Sequence, residues 1–177
     1  SSDQYHDKKL KAENIIGNNL DELEEKKSLL QQCIEIAPDL AKQDGLSQIL
    51  KVINDDLFNL YCVEAKMAEE SKEWDKAIRF YEQAKKINST KKIKGSSSTP
   101  FVKLIECKRK QQDDFTELGK QEYKAGNFIE AKQYFDKSKE IIITLNDNKK
   151  LLDRINKENN RCNKKLNFSK SNTPPGM

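Results

Sequence analysis

Apolar residues recur at steps of three and four through nearly the whole chain, and no segment alternates apolar with polar. Ile16, Leu20, Leu23, Leu30, Ile34 and Ala37 form one such stripe, interrupted at Lys27. After Gly45 a second runs through Leu46, Ile49, Leu50, Ile53, Leu57, Leu60, Tyr61, Ala65 and Ala68. A third holds Trp74, Ala77, Ile78, Tyr81, Ala84 and Ile87, and a fourth runs from Phe101 through Leu104, Ile105, Phe115 and Leu118 to Gly126. Phe128, Ala131, Phe135, Ile141, Ile142 and Leu145 follow, then Leu151, Leu152, Ile155 and Leu166. A period near 3.6 lines such residues along one face of a helix, whereas a strand needs a period of two. The expected fold class is all-α, built from antiparallel helical hairpins. Asn19-Leu20-Asp21-Glu22 has the form of a capping box, which starts a helix after Gly17, and Pro38-Asp39 stops it. Residues 88–100, with Gly95, the run Ser96-Ser97-Ser98 and Pro100, read as a flexible loop, and residues 167–177 as a disordered tail.

Composition narrows the reading further. The 177 residues are 35% hydrophobic and 35% charged, with mean hydropathy −0.92. That is too few apolar residues for a sheet buried on both faces, but enough for helices that each hide one stripe. Residues 1–166 are expected to form a single domain. No run approaches the roughly 20 apolar residues of a membrane span, and SSDQYHDKKL has no apolar signal segment. The expected location is therefore cytoplasmic, with the nucleus as the alternative. The lack of an initiator Met and the polar ends point to a part of a larger protein.

The 33 basic and 29 acidic residues leave only +4, and the signs are mixed along most of the chain. Arginine occurs only at 79, 109, 154 and 161, whereas reading bases or phosphates favours its bidentate fork. Nucleic acid is not the expected partner. Lys91-Lys92-Ile93-Lys94 and Lys108-Arg109-Lys110 are the short basic clusters that could address an anionic surface, but such clusters arise by chance in so lysine-rich a chain. Thr99-Pro100 and Thr173-Pro174 have the form of proline-directed phosphorylation sites. Cys33, Cys62, Cys107 and Cys162 are far apart with no CxxC pair, and the one histidine is His6. No metal site is expected, and the thiols read as reduced and half-buried. GSSST lacks the GK[ST] of a phosphate-binding loop, and the pairs Glu69-Glu70 and Asp113-Asp114 sit among lysines. Neither a cofactor nor an enzymatic activity is expected.

Comparing the chain with itself exposes a repeat. A shift of 54 residues lays 64–87 on 118–141, pairing Ala65 with Gly119, Trp74 with Phe128, Ala77 with Ala131, Tyr81 with Phe135, Ala84 with Ser138 and Ile87 with Ile141. Each copy reads as two antiparallel helices that approach closely at small residues while rings fill the space beside them. The second copy resembles the tetratricopeptide repeat in Leu118-Gly119, Gly126, Phe128, Ala131 and Phe135. The first resembles it in Ala65, Trp74, Ala77, Tyr81 and Ala84, with Lys72 where the turn glycine belongs. The repeat-like units span about 57–90 and 111–144, and Leu30, Cys33, Ile36 and Pro38 give 10–40 the look of a degenerate third. The spacing of 54 exceeds the family's 34. The resemblance thus implies either a right-handed helical array or a compact bundle of long hairpins with repeat-like junctions. KEWDKAIRFYEQAKKI is also similar to the last hairpin of the microtubule-interacting-and-transport (MIT) domain, and two of these in tandem fit the length.

The tetratricopeptide resemblance implies a protein-interaction module, an adaptor or scaffold that binds a peptide or helix of a partner in a groove lined by the first helix of each repeat. The positions carried over are Asn59, Cys62, Lys66 and Glu69 in the first copy and Asp113, Thr116, Lys120 and Tyr123 in the second. Lys66 and Lys120 share one repeat position, suited to an acidic peptide, while the reading of both as solvated surface stays open. The family's lysine/asparagine carboxylate clamp is not matched. The alternatives are an MIT-like trafficking or assembly module, and a structural element that self-associates through the 16–37 stripe.

Overall fold

In the computed structural model, residues 1–146 and 148–171 are described, and the regular elements among them are all α-helices. They are α1 (Ser2–Glu13), α2 (Leu20–Ile36), α3 (Pro38–Gln43), α4 (Leu46–Glu70), α5 (Trp74–Ile87), α6 (Pro100–Lys124), α7 (Phe128–Leu145) and α8 (Lys149–Ser171). None among the described residues is long and apolar enough to cross a membrane. The chain divides into two compact units, Ser1–Leu104 and the residues from Ile105 onward, with the division falling inside α6.

In the first unit the local signals set the helix ends. The Asn19 side chain accepts from the Glu22 backbone amide at 2.9 Å and caps α2, while Asn19 Nδ2 donates to the Glu22 carboxylate. The N-cap half of the expected capping box forms, and Glu22 bonds the Asn19 side chain in place of its backbone N–H. Ile16, placed in the α2 stripe by its spacing, lies before the helix and is 95% exposed. Pro38 ends α2 and at once opens α3, because its missing N–H is no loss in a first helical turn. Leu23, Leu30, Cys33, Leu46, Ile53, Leu57, Phe58, Cys62 and Ala84 form the core, with α4 packed on α5 and α2 on α1 and α4. Trp74 opens α5 half-buried.

The 88–100 segment is a loop that carries hydrogen bonds of its own. Asn88 Oδ1 accepts from the amides of Thr90 and Lys91 at 3.1 and 3.0 Å, and the Ile93 amide donates to the Ser98 carbonyl at 2.9 Å. Ile93 packs against the core, so one apolar residue in a polar stretch anchors it. Pro100 is buried as the first residue of α6, and Thr99 Oγ1 accepts from the Val102 amide at 3.4 Å. The second unit holds the remainder of α6, with α7 and α8. Ala131, Phe135, Ile142, Ile155 and Cys162 form its core, and Tyr123, Leu151 and Leu152 pack against them. Helix α8 continues to Ser171, so residues 167–171 of the expected tail are helical; Thr173-Pro174 lies outside the described residues.

Candidate functional site

The two repeat copies reach the same turn by different means. Gly126, between α6 and α7, has φ +83°, and Lys72, at the matching place between α4 and α5, has φ +56°. The small-residue position also does what its chemistry demands. A Cβ on Gly119 would lie 2.6 Å from Cε1 of Phe135, closer than any side chain tolerates, so glycine lets α6 and α7 approach at this point. Phe115 stacks with Tyr134 and Tyr123 meets Phe128 edge-on, at ring-centre separations of 6.3 and 5.2 Å. The two helices run antiparallel.

A shift of 54 residues pairs Phe58, Cys62 and Ala84 of the first copy with Gln112, Thr116 and Ser138 of the second. The first three are apolar core. The second three form a hydrogen-bonded cluster. Gln112 Nε2 donates to Thr116 Oγ1 at 3.0 Å and to Ser138 Oγ at 2.9 Å, the two hydroxyls are 2.8 Å apart, and Thr116 Oγ1 donates to the Gln112 carbonyl at 3.1 Å. Thr116 therefore spends its proton on the backbone and Ser138 spends its own on Thr116, which orients the Gln112 amide with its NH₂ toward both. The consequence is an acceptor, Gln112 Oε1, buried without a partner on a residue only 1% exposed. Leaving such a group unmatched costs about 1–3 kcal/mol.

Gln112 belongs to the lining of an open groove of about 500 Å³. Asp113, Thr116, Glu117 and Lys120 form its α6 wall, and Leu151, Arg154, Ile155, Lys157, Glu158 and Arg161 its α8 wall. Within each wall one pair is neutralised, Lys120 with Glu117 and Arg161 with Glu158, both at 3.2 Å. Arg154 and Lys157 leave the α8 wall basic, opposite Asp113 on α6.

The groove gathers three of the eight residues nominated from sequence, Asp113, Thr116 and Lys120. Tyr123 instead packs on Phe128 and the core. In the first unit Lys66 is exposed and Asn59 half-buried on α4, but two nominations are committed internally. Cys62 is 4% exposed and belongs to the apolar core of this unit, and burial pushes its thiol up to about 11. Glu69 accepts from the Tyr81 hydroxyl at 2.6 Å and pairs with Lys103 at 3.0 Å, its side chain 10% exposed. A cleft of about 390 Å³ in this unit involves none of the nominated residues. It lies between the first half of α4 and Ile87–Lys91, where Lys91 pairs with Asp55 at 3.4 Å and covers the Phe58 ring.

The α8 wall is the part that sequence reasoning missed. Its basic residues are spread along the helix, so no contiguous cluster marks them, and the signal that finds them is charge at helical spacing. Among the described residues no group of three or more His, Cys, Asp or Glu is placed to hold a metal ion. No family model matches this sequence, and no curated protein or solved structure matches it.

Proposed function

We propose that the chain is a protein-interaction module whose α6–α8 groove takes a peptide or helix of a partner protein. The observation that carries this reading is the buried polar cluster beneath the groove. The matching positions of the first copy show that this junction packs well with apolar residues alone. Gln112, Thr116 and Ser138 form instead a costlier arrangement with an unused acceptor, in a residue that lines a cleft of ligand size. A partner that supplies a donor there, and carboxylates toward Arg154 and Lys157, matches both features.

The small and aromatic contacts at Gly119, Phe135 and Gly126 support a tetratricopeptide-like junction and, with it, an adaptor or scaffold role. The three helices of the second unit are what favour the MIT-like alternative. The test is site-specific photocrosslinking. A photoreactive residue replacing Asp113 should trap one defined partner segment, while the same residue at Gln133, exposed on α7, should not. Thr116→Trp, which fills the groove, should abolish the adduct. Equal trapping from both positions, or an adduct that survives Thr116→Trp, disproves the groove.

A further inference from the structure

The charge of this chain is not evenly shared. Residues 1–104 hold 17 basic and 18 acidic residues, and residues 105–177 hold 16 and 11. Within α8 the ratio is eight to two. Lys150, Arg154, Lys157, Arg161 and Lys164 follow one another at steps of four, three, four and three, and all five are exposed. They make a straight basic line about 21 Å long at 1.5 Å per residue. One more step along the same line reaches Phe168, 68% exposed. The inner face holds Leu151, Leu152, Ile155 and Cys162 against the core, with Asn159 buried among them.

We infer that this basic face of α8, which includes the rim of the groove, docks the protein on a membrane surface rich in anionic phospholipid headgroups, with the helix lying flat and Phe168 entering the interface. Three features select this occupant. A helix docking in a groove needs apolar anchors every three or four residues, and apart from Phe168 the line offers none. Three of its five cations are lysines, point charges without the bidentate geometry that reads nucleic acid. Lastly, five cations on one exposed face of an amphipathic helix, whose apolar face is already committed to the core, are the charge pattern that anionic headgroups attract. The acidic residues near the line are Asp153 and Glu158 on α8, with Asp113 and Glu117 across the groove that Arg154, Lys157 and Arg161 also line. Glu158 pairs with Arg161, and Glu117 with Lys120. Arg154 and Lys157 serve both readings, so lipid and a groove peptide would compete for them, but the two tests are distinguishable because the groove is tested through Asp113 and Thr116 on α6.

The measurement is co-sedimentation of the whole chain with vesicles. Phosphatidylcholine vesicles containing about 30% phosphatidylserine should retain the protein, and pure phosphatidylcholine vesicles should not. Each basic residue near such a surface contributes roughly fivefold to partitioning, so Lys150→Gln/Lys157→Gln/Lys164→Gln should weaken binding about a hundredfold. All three side chains are exposed, and unchanged circular dichroism verifies the fold. Lys42→Gln/Lys51→Gln/Lys86→Gln removes the same charge from exposed positions of the first unit and should leave binding intact. Phe168→Ala should weaken it further in the α8 variant. Equal loss in both triple variants would show that net charge alone is at work and overturn the site. So would equal binding to uncharged vesicles, tighter binding to duplex DNA of matched phosphate concentration, or displacement by millimolar inorganic phosphate.

Discussion

Gln112, Thr116 and Ser138 do in one repeat copy what Phe58, Cys62 and Ala84 do in the other, and the difference is measurable. A buried acceptor without a donor weighs against the folded state, whereas removing a whole polar cluster in favour of apolar groups of similar shape is neutral or better. Gln112→Met/Thr116→Val/Ser138→Ala should therefore raise the unfolding free energy by about 1–3 kcal/mol in urea titration, while Ser138→Ala alone, which strips Gln112 and Thr116 of a partner, should lower it. A destabilised triple variant would show that the cluster serves packing. Lys72 offers a second single-site test. Its left-handed backbone is strained for any residue with a Cβ, and its repeat partner Gly126 shows the relaxed solution. Lys72→Gly should stabilise the first unit by roughly 0.5–1 kcal/mol, net of the greater freedom of glycine in the unfolded chain; a loss of stability would mean that the lysine side chain has a role in the turn.

Helix α1 depends on a tertiary clasp. Its 12 residues bury only Tyr5 and Ala12, and the Tyr5 hydroxyl donates to Asp44 at 2.5 Å while Lys9 pairs with the same carboxylate at 3.1 Å. The Tyr5 hydrogen bond first, and Lys9 after it, hold the Asp44 carboxyl below its usual range. Burial and then Asp44 push the Tyr5 hydroxyl up, and Asp44 does the same to Lys9. The signs follow from linkage. Asp44 contributes stability above about pH 4, lost as pH falls through its lowered folded value; Tyr5 and Lys9 contribute below about pH 10, lost as pH rises through their raised ones. The protection of the α1 amides, taken relative to intrinsic exchange at each pH, should thus be highest between these limits and fall toward either side, and Asp44→Asn should remove the acid limb. An unchanged acid limb in that variant would refute the clasp. This arrangement also explains what the sequence could and could not disclose. The hairpins were legible because Gly119, Phe135, Ala65 and Tyr81 stand at fixed spacing. The clasp was not, because Tyr5 and Asp44 are 39 residues apart and nothing local relates them. Half of the groove was readable for the same reason: its α6 wall lies inside the repeat, and its α8 wall lies beyond it.

A composition of 35% charged residues coexists with an apolar core in each unit because the charge lies mostly on outer helix faces. The four cysteines show how complete that separation is. Cys33 and Cys62, expected to be half-buried, are at most 4% exposed, and Cys107 and Cys162 are fully buried, so that each unit holds two. Burial pushes the Cys33, Cys62 and Cys162 thiols up, so the nucleophilic thiolate is suppressed as well as hidden. A thiol in this position reacts only when its surroundings open, and opening a core costs a large part of the global stability. At about pH 8 the native protein should react with an aromatic disulfide reagent at least a thousandfold more slowly than the chain unfolded in guanidinium, for all four thiols. Mass spectrometry of partly labelled protein in rising urea should show Cys33 and Cys62 gaining label together, because both belong to one core. Fast labelling of any one cysteine in the native protein would mean that the core around it is open, and the packing described for that unit would be wrong.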